Sequence, residues 1–472
     1  MFRINDILHA TRGTLIQGSD SVLTAVGGVS IDSRTIQPQE IFIAIKGDRF
    51  DGHQFISQAI EKYAALIIVS QKKFPPLKTA FPRISVPVIH VPDTTQALGQ
   101  IAHFHRHRFS IPIIAVTGST GKTTTKEMIA SVLGSCYTVL KNIATENNHI
   151  GVPMTLLKLN SSHQMAVLEF GTNRFGDIRG LSQITNPTVG LFTNIGESHL
   201  EFLKTPSGVL REKIEMIKYL HPPFTVVCNT DDPYLRNILN RKFDGKILTY
   251  GIDRPADFHA TNIELANNVQ LNFKMRKRQN FKLNTPAFHN VYNALAAIAC
   301  GRLLKINYPQ IQERIEQFNF PKGRQLVNRG KRFWVIDDTY NANPMSVRSA
   351  LKTLSSLNSP GRKIFVCGDM LELGDRSEEL HSSIGKTVGR TPLDAVFTIG
   401  KFSQLISQAA KKENKDLISF HGATIEGIHH RLQEYCQPGD VILVKGSRGM
   451  KMERTVEFLS QELAVISNKA KK

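Results

Sequence analysis

The stretch IIAVTGSTGKTTT, at positions 113 to 125, carries the residue types best suited to chemistry. An apolar run ends at Gly118 and Gly121, and Lys122 and Thr123 then open a predicted helix. Backbone N–H groups at such a turn bind phosphate at the positive end of a helix, while the lysine adds a cation and the threonine a hydroxyl ligand for Mg²⁺. The common phosphate loop has a glycine where this chain has Val116. The stretch nevertheless predicts a nucleotide phosphate site.

Polar side chains also follow the next apolar runs, which are typical of buried parallel strands. The predicted strands span 113–116, 165–168, 189–192 and 225–228. Glu169 follows the second, Asn194 and His199 the third, and Asn229 and Asp231 the fourth. Because ligands bind beyond the carboxyl ends of parallel strands, we expect these side chains to converge on one crevice.

Two later helices contain polar residues with two interpretations each. A helix capped by Thr205, with Pro206 first, places Lys213 on an apolar stripe, where a lysine either reaches solvent at the edge or points into the crevice. In HNVYNALAAIACGRLL, Asn290 and Asn293 share a face and could bind an adenine edge or make a helix-packing hydrogen bond. The residues alone leave both choices open.

The length of 472 residues suggests about three α/β domains. Residues 1–109 predict a small mixed α/β domain, 110–321 a central P-loop-type, mostly parallel sheet with flanking helices, and 322–472 a Rossmann-like α/β domain. Predicted strands of the third domain are 333–336, 363–367, 395–399 and 441–444. Each is followed by a polar loop, so a second crevice could face the first.

Composition excludes several classes of protein. No apolar run approaches the roughly 20 residues of a membrane span, and the start lacks a signal-peptide pattern, which favours a cytoplasmic protein. Five widely spaced cysteines argue against disulfides and zinc and are expected to be core thiols. The net charge of +19 invites a nucleic-acid interpretation, yet Lys and Arg cluster only at 274–282 and 468–472. We expect a basic surface for an anionic substrate and no nucleic acid.

The N-terminal region contains two polar groups of less certain meaning. Asp32, Ser33 and Arg34, with Lys46 and the loop 48–53, could hold an anion, although the residues alone favour ordinary loop chemistry. The histidines of the predicted helix 94–109 are spaced by two residues, on different faces, which argues against a metal site and favours a solvated or linker helix.

Eight motifs together resemble the Mur ligase family over about 32–453, nearly the whole chain. They are GSTGKTTTKEM, ENNHIGVPMTLL, EFGTNRFGDI, TNIGESHLEF, HNVYNALAA, DDTYNANPMS, GDMLELG and KGSRGMKME. Departures are few: Gln39 stands where the family usually has glycine, and Phe170 where methionine is common.

The resemblance implies roles for individual residues. ATP phosphates would lie on Gly118, Ser119, Thr120, Gly121, Lys122, Thr123 and Thr124, and the nucleotide would also contact Asn290, Asn293, Arg324 and Asp338. Two Mg²⁺ ions would be held around Thr123, Glu169, His199 and a carbamylated Lys213, with Lys122, Glu169, His199 and Lys213 as catalytic residues. Substrates would contact Asp32, Ser33, Arg34, Lys46, Asp51, His53, Tyr340, Asn341, Asn343, Lys445, Ser447 and Arg448.

The implied activity is that of a monomeric, ATP-dependent ligase of peptidoglycan synthesis. It would join D-Ala-D-Ala to a UDP-N-acetylmuramoyl tripeptide through an acyl phosphate. A sister ligase adding another unit, or a folyl-polyglutamate synthetase, is the alternative within the fold, and DDTYNANP and KGSRG argue against both. A nucleotide-dependent binding protein with a basic surface is the alternative outside it.

Overall fold

Short runs rich in Val, Ile and Leu form the strands of three separate sheets in the computed structural model. The structure describes residues 2–17, 26–73, 86–239, 244–275, 279–330 and 332–469, with side chains up to 461. The first sheet has the order β1-β5-β4-β3-β2, with β1 antiparallel to β5 and the other pairs parallel. Its elements are α1 (Ile4–Thr11), β1 (Thr14–Gln17), β2 (Val29–Ser30), β3 (Ile41–Ile43), α2 (Ile56–Glu61), β4 (Leu66–Ser70), β5 (Val88–Val91) and α3 (Thr94–Arg106).

The central sheet has nine strands in the order β14-β13-β12-β11-β10-β9-β6-β8-β7. Its strands are β6 (Ile113–Thr117), β7 (Val139–Lys141), β8 (Met165–Glu169), β9 (Val189–Phe192), β10 (Thr225–Asn229), β11 (Lys246–Gly251), β12 (Phe258–Ala266), β13 (Gln270–Met275) and β14 (Gln279–Leu283). Its helices are α4 (Lys122–Leu133), α5 (Gly151–Leu156), α6 (Asp177–Thr185), α7 (Leu200–Leu203), α8 (Pro206–Ile214), α9 (Arg236–Leu239), α10 (Asn290–Leu303) and α11 (Tyr308–Glu316). The pairs from β7 to β12 are parallel, and β13 and β14 extend the sheet as antiparallel strands.

The third sheet has the order β15-β16-β20-β17-β18-β19, parallel except for the edge strand β15. It contains β15 (Leu326–Arg329), β16 (Trp334–Asp338), β17 (Lys363–Gly368), β18 (Ala395–Ile399), β19 (Ile418–Gly422) and β20 (Val441–Lys445). Its helices are α12 (Pro344–Ser356), α13 (Ser377–Arg390), α14 (Ser403–Glu413), α15 (Ile425–Tyr435) and α16 (Glu453–Lys469). Parallel strands alternating with helices give the expected α/β layer.

The predicted strands of the second and third sheets are all present, with ends that differ by two residues at most. The cap of α8 is also as expected, because Thr205 Oγ1 accepts a hydrogen bond of 3.1 Å from Gly208 N. None of the described helices and strands crosses residues 109/110 or 321/322. Those two domain boundaries stay predictions.

The structure corrects one expectation about the cysteines. Cys228, Cys300, Cys367 and Cys436 are buried, but Cys136 is exposed, so it is not the core thiol that we expected. Part of each basic cluster, 276–278 and 470–472, lies outside the described residues. Within the described part of the chain, no helix is long and apolar enough to cross a membrane.

We expected a solvated or linker helix here, and the solvated alternative is wrong, because α3 is largely buried. Its buried residues include Leu98, Ile101 and His105, which pack between the first sheet and the helices of the central sheet. Arg106 is also buried, and its guanidinium donates hydrogen bonds to the carbonyls of Thr185, Phe109 and Ile111 at 3.1, 2.5 and 3.0 Å. The histidines at alternating positions thus gave no indication that α3 is packed between the first sheet and the helices of the central sheet.

Replacing Arg106 by methionine should therefore destabilise the protein by about 2 to 4 kcal/mol, because three buried carbonyls lose their donor. The control is Arg390→Met, which removes an exposed ion pair with Glu413 and should cost about 0.5 kcal/mol or less. Thermal unfolding followed by circular dichroism compares the two. Equal midpoints for both variants would contradict the bridging role of Arg106.

Candidate active site

The carboxyl ends of the central strands open into a cavity of about 630 Å³, and loops of the third sheet form its opposite wall. The turn after β6, the end of β8 and the loops after β9 and β10 lie on one side. The convergence expected from the strand pattern is thus present, with the third sheet closing the crevice from the other side.

The turn after β6 is shaped by two glycines. Gly118 has φ +153°, and a Cβ atom there would lie 1.8 Å from Thr193 Oγ1. Gly121 has φ +80°, and its Cβ would lie 2.7 Å from Asn293 Oδ1. Only glycine therefore fits either position, and the chain between them is drawn tightly against neighbouring loops.

The loop after β9 and the first two residues of α7, together residues 194–201, contact this turn and are called the clasp loop below. Asn194 Oδ1 accepts hydrogen bonds from the backbone N and side-chain Oγ1 of Thr120 at 2.9 and 3.1 Å, while Asn194 Nδ2 donates to Thr120 O. Ser119 Oγ accepts from Gly196 N at 2.9 Å and also bonds Ser198 Oγ. One side-chain amide and three hydroxyls thus fix the phosphate turn to the loop that follows the neighbouring strand β9.

Glu169, at the end of β8, lies directly beside the start of α4. Its Oε2 accepts a hydrogen bond of 2.8 Å from Thr123 Oγ1, and its Oε1 accepts one of 2.7 Å from Asn147 Nδ2. Lys122 Nζ donates to Gly118 O at 3.0 Å. Burial lowers the pKa of Lys122, and the charge of Glu169 partly offsets this. A hydroxyl, a carboxylate and a desolvated cation thus share one corner.

Lys213 is buried, with a relative exposure of 1%, so it does not reach solvent at the edge of its stripe. Burial lowers its pKa well below the ordinary value, and the nearby charge of Lys122 lowers it further. Within the described residues its amine has no hydrogen-bond or ion-pair partner. An unpaired, desolvated lysine favours the neutral amine.

His199 belongs to the clasp loop and faces the third sheet. Its Nδ1 lies 2.7 Å from Oε2 of Glu372, in close contact but without hydrogen-bond geometry. Burial lowers the pKa of His199, and Glu372 opposes that shift. The imidazole therefore touches both sides of the cavity.

The opposite wall brings its own charges. Arg324 Nη2 donates to Thr123 Oγ1 at 3.1 Å, and Lys445 Nζ donates to Asp338 Oδ2 at 2.7 Å. Burial raises the pKa of Asp338, although Lys445 acts in the opposite direction. Arg324, just before β15, thus reaches Thr123 at the start of α4, whereas Lys445 stays paired with Asp338 on its own side.

Comparison with known proteins gives this site a context. Residues 25–106, 116–301 and 323–448 match three family profiles, described as Mur ligase family, catalytic domain; Mur ligase middle domain; and Mur ligase, glutamate ligase domain. A UDP-N-acetylmuramoyl-tripeptide--D-alanyl-D-alanine ligase of Bacillus subtilis is 35% identical, covering 97% of this chain and 98% of the relative. The chain belongs to the Mur ligase family.

Further Mur ligases have the same extent. A ligase of the same name from Escherichia coli is 32% identical over 97% of this chain and 98% of its own. A crystal structure of MurF from Acinetobacter baumannii superposes with a TM-score of 0.86 at 30% identity, covering 98% and 99% of the two chains. MurF ligase from Thermotoga maritima, solved in complex with ADP, gives 0.81 at 28% identity, covering 93% and 98%.

Most of the predicted site residues of this Mur ligase line the single cavity described above. Those that line it are Ser119, Thr120, Gly121, Lys122, Thr123, Thr124, Glu169, His199, Asn293, Arg324, Asp338, Tyr340, Asn341, Asn343, Lys445, Ser447 and Arg448. Some of their side chains already have structural partners. Asn343 caps α12 by accepting from Ser346 N, and Ser447 Oγ donates to Ala342 O. Their substrate roles stay predictions.

The side chain of Asn290 makes a helix-packing hydrogen bond, one of the two interpretations left open by the sequence. Its Oδ1 accepts a 2.8 Å bond from Asn293 Nδ2, and Asn293 Oδ1 accepts one of 3.0 Å from Thr125 Oγ1. This chain of amides ties α10 to α4 behind the phosphate turn. Asn290, Gly118 and Lys213 lie outside the cavity lining, so an adenine contact for Asn290 stays a prediction.

The predicted N-terminal residues do not join the cavity. Asp51 accepts from His53 Nδ1 at 2.6 Å, and His53 Nε2 accepts from Ser70 N. Ser33 Oγ donates to Gln58 Oε1. Arg34, 83% exposed, pairs with Asp32 and holds the pKa of that carboxyl at about 2, and Lys46 is exposed. These residues lie apart from the cavity, in the first domain, with Arg34 and Lys46 exposed and Ser33 and His53 buried.

Among the site residues that were given no role by the sequence are Asn147, Thr193, Gln325 and Glu372. Asn147 and Glu372 lie within the quoted motifs ENNHIGVPMTLL and GDMLELG. The available signal was their place in a loop directly before or after a strand of the site. Their contacts join distant segments, so spacing along the chain does not show them.

The tight approach at Gly118 generates a prediction with a matched control. Gly118→Ala should weaken binding of the ATP analogue AMP-PNP by about tenfold or more, because the new methyl group displaces Thr193 and the phosphate turn. Gly176→Ala has a similar backbone strain, with φ +96°, but its Cβ meets nothing within 4 Å, so it should change affinity by less than about threefold. Calorimetric titration measures both, and equal losses would contradict the steric explanation.

Proposed function

We propose that this Mur ligase joins D-Ala-D-Ala to UDP-N-acetylmuramoyl tripeptide at the expense of ATP, giving the UDP-N-acetylmuramoyl-pentapeptide precursor of peptidoglycan. The observation that carries the proposal is the meeting of Thr123, Glu169 and Arg324 in one cavity between the central and third sheets. The names of its full-length relatives, such as that from Bacillus subtilis, support the choice of substrates.

The donor set suits Mg²⁺. Thr123 Oγ1 and Glu169 Oε2 are oxygen ligands already 2.8 Å apart, and Mg²⁺ is commonly held by one or two carboxylates together with substrate phosphates. A carbamate on Lys213 would supply a second carboxylate, and His199 a nitrogen. The described residues contain no group of three or more His, Cys, Asp and Glu side chains that could hold a metal without such help. Two bound ions would neutralise phosphate charge during transfer.

The reaction then runs in two steps. A carboxylate oxygen of the tripeptide attacks the γ-phosphorus of ATP, which forms an acyl phosphate and releases ADP. The amine of the dipeptide attacks the acyl carbon, and the tetrahedral intermediate expels phosphate as the amide forms and a proton leaves the nitrogen. Lys122 and Arg324 hold the phosphoryl oxygens, so the protein acts mainly by positioning and charge neutralisation.

The remaining predicted contacts divide between the substrates. The exposed side chains Arg34 and Lys46 would bind the UDP-sugar on the first sheet, with Asp32, Ser33, Asp51 and His53 shaping that surface. Lys445 and Arg448, with Asn341, Asn343 and Ser447, would place the dipeptide. We further propose that the enzyme is cytoplasmic, since both nucleotide substrates are soluble cytoplasmic compounds, and that it acts as a monomer.

The deciding assay is release of phosphate from ATP. It should require both the UDP-N-acetylmuramoyl tripeptide and D-Ala-D-Ala, with a pentapeptide product seen by mass spectrometry. Glutamate and diaminopimelate, the kinds of unit that sister ligases add, serve as matched acceptors and should give background rates. ADP formation that is indifferent to the dipeptide would refute the assignment, and turnover on tripeptides ending in lysine or diaminopimelate identifies the preferred one.

Lys213→Ala should lose most activity, because it removes the amine that would carry the metal-holding carbamate. Burial of Lys213 disfavours its charged form, and the uncharged amine is the one that adds carbon dioxide. A short carboxylic acid such as acetate, added in bulk, should partly restore phosphate release. The control is Lys218→Ala in the same segment, which removes an exposed ion pair with Glu215 and should leave turnover near wild type. Full activity of the Lys213 variant, or loss without rescue, would argue against the carbamate.

A further inference from the structure

Arg324 lines the cavity as a half-buried cation, and no carboxylate among the described residues fixes its direction. Within the described residues its one hydrogen bond runs from Nη2 to Thr123 Oγ1, at 3.1 Å. A single bond to a rotatable hydroxyl leaves a long, flexible side chain free to swing. The guanidinium therefore needs a second restraint.

Tyr340 supplies that restraint through its ring face. The guanidinium carbon of Arg324 lies 3.8 Å from the centroid of the Tyr340 ring. At this distance a planar guanidinium stacks on an aromatic ring with both cation–π and dispersion attraction. The guanidinium carbon of Arg448 lies farther away, 6.0 Å from the centroid of the same ring, so Arg324 is the main partner of Tyr340.

The backbone brings the two residues together as a unit. Strands β15 and β16 are antiparallel, with Leu326 opposite Asp337, so the residues just outside the pair also face each other. Tyr340 N donates to Gly323 O at 3.2 Å, and a Cβ at Gly323, whose φ is +72°, would lie 3.2 Å from Tyr340 N. The backbone of Arg324 is thus held close to the Tyr340 ring.

The hydroxyl of Tyr340, in contrast, has no hydrogen-bond partner among the described residues. The contacts use the ring face alone. This separates two roles for Tyr340: a platform for Arg324, which needs only the ring, and a dipeptide contact through the hydroxyl, which the family resemblance suggested.

We propose that Tyr340 is a positioning residue that holds the Arg324 guanidinium flat and aimed at Thr123, where the terminal phosphates of ATP bind. The proposal rests on the proposed function for the identity of the nucleotide. It replaces the dipeptide contact predicted for Tyr340 with a role in binding phosphate through another side chain.

The test is a double-mutant cycle read by calorimetric titration of AMP-PNP with Mg²⁺. Tyr340→Leu should weaken binding by about 3- to 30-fold, whereas Tyr340→Phe keeps the ring and should stay within about twofold of wild type. In an Arg324→Ala background, Tyr340→Leu should cause less than about twofold further loss, because the cation that it positions is gone. The thermal midpoint of each variant without nucleotide shows that it is folded.

Two results would overturn the proposal. An equal loss from Tyr340→Leu with and without Arg324 would mean that the ring acts independently. A several-fold rise in the KM for D-Ala-D-Ala in Tyr340→Phe, with AMP-PNP affinity unchanged in both tyrosine variants, would assign the hydroxyl to the dipeptide. Nucleotide binding does not depend on ligation, so failure of the substrate-dependent phosphate release would refute the proposed function while leaving this cycle readable.

Discussion

Positive charge buried around one cavity is the constraint on which the rest of this structure depends. Burial lowers the pKa values of Lys122, Lys213, Arg324 and Lys445, and in each case except Arg324 a neighbouring cation lowers it further. Charges of one sign repel strongly where water is excluded. Glu169 and Asp338 offset part of this repulsion. A triphosphate would offset much more, so nucleotide binding should stabilise the closed arrangement of the walls.

Burial, reinforced by the same cations, disfavours the charged form of the nearby His289. Burial lowers the pKa of His289 to about 4, with Lys445 and Arg324 adding to the shift. Its Nδ1 instead bonds Ser349 Oγ at 3.0 Å, across the boundary between α10 and α12. A charged imidazole would add to the repulsion in the cavity. The site therefore uses this histidine as a neutral hydrogen-bonding contact between its walls.

The clasp loop, residues 194–201, contacts both the phosphate turn and the residues of the third domain. Its first residues bind Ser119 and Thr120. On the other side, the Met345 side chain fills the space above Gly196, where a Cβ would lie 2.4 Å from Cε, and Glu201 N donates to Glu372 O. If the third sheet moved away, the packing of Met345 on Gly196 would be lost, and Gly196 itself bonds Ser119 in the phosphate turn. Domain closure and the shape of the phosphate site are thus mechanically linked.

The parts of the fold that sequence could predict are those with local causes. Buried parallel strands need continuous apolar runs, and a capping threonine followed by proline, as at Thr205 and Pro206, favours a helix start. These elements were therefore predicted closely. The antiparallel extension β12–β14 was not predicted, because its strands lack the continuous apolar runs and following motifs that marked the others. The alternating burial of β13 is nevertheless typical of a half-buried strand. Gln39 illustrates the converse: its φ of +69° supplies a physical reason for the glycine usual in the family.

Site contacts were less predictable because they join segments far apart in sequence. Glu372 meets His199, and Arg324 meets Thr123, across the gap between two sheets. Motif spacing identified which loops matter but not which atoms face each other. For Asn290, two amide interpretations were equal on the sequence alone, and only packing against Asn293 distinguishes the observed bonds.

The candidate anion site on the first sheet lies in a different physical environment from the cavity. Arg34 is held by Asp32 but remains open to solvent, where its attraction for a diphosphate would be screened by salt and modest in strength. The cations of the cavity are desolvated, so each contact with a phosphoryl group there is stronger and more directional. A long substrate with a diphosphate at one end and a reactive carboxylate at the other would thus be tethered loosely on the first sheet. Its carboxylate would be held firmly only where phosphate transfer takes place, which is the distribution of binding strength that favours the reaction step over simple retention of substrate.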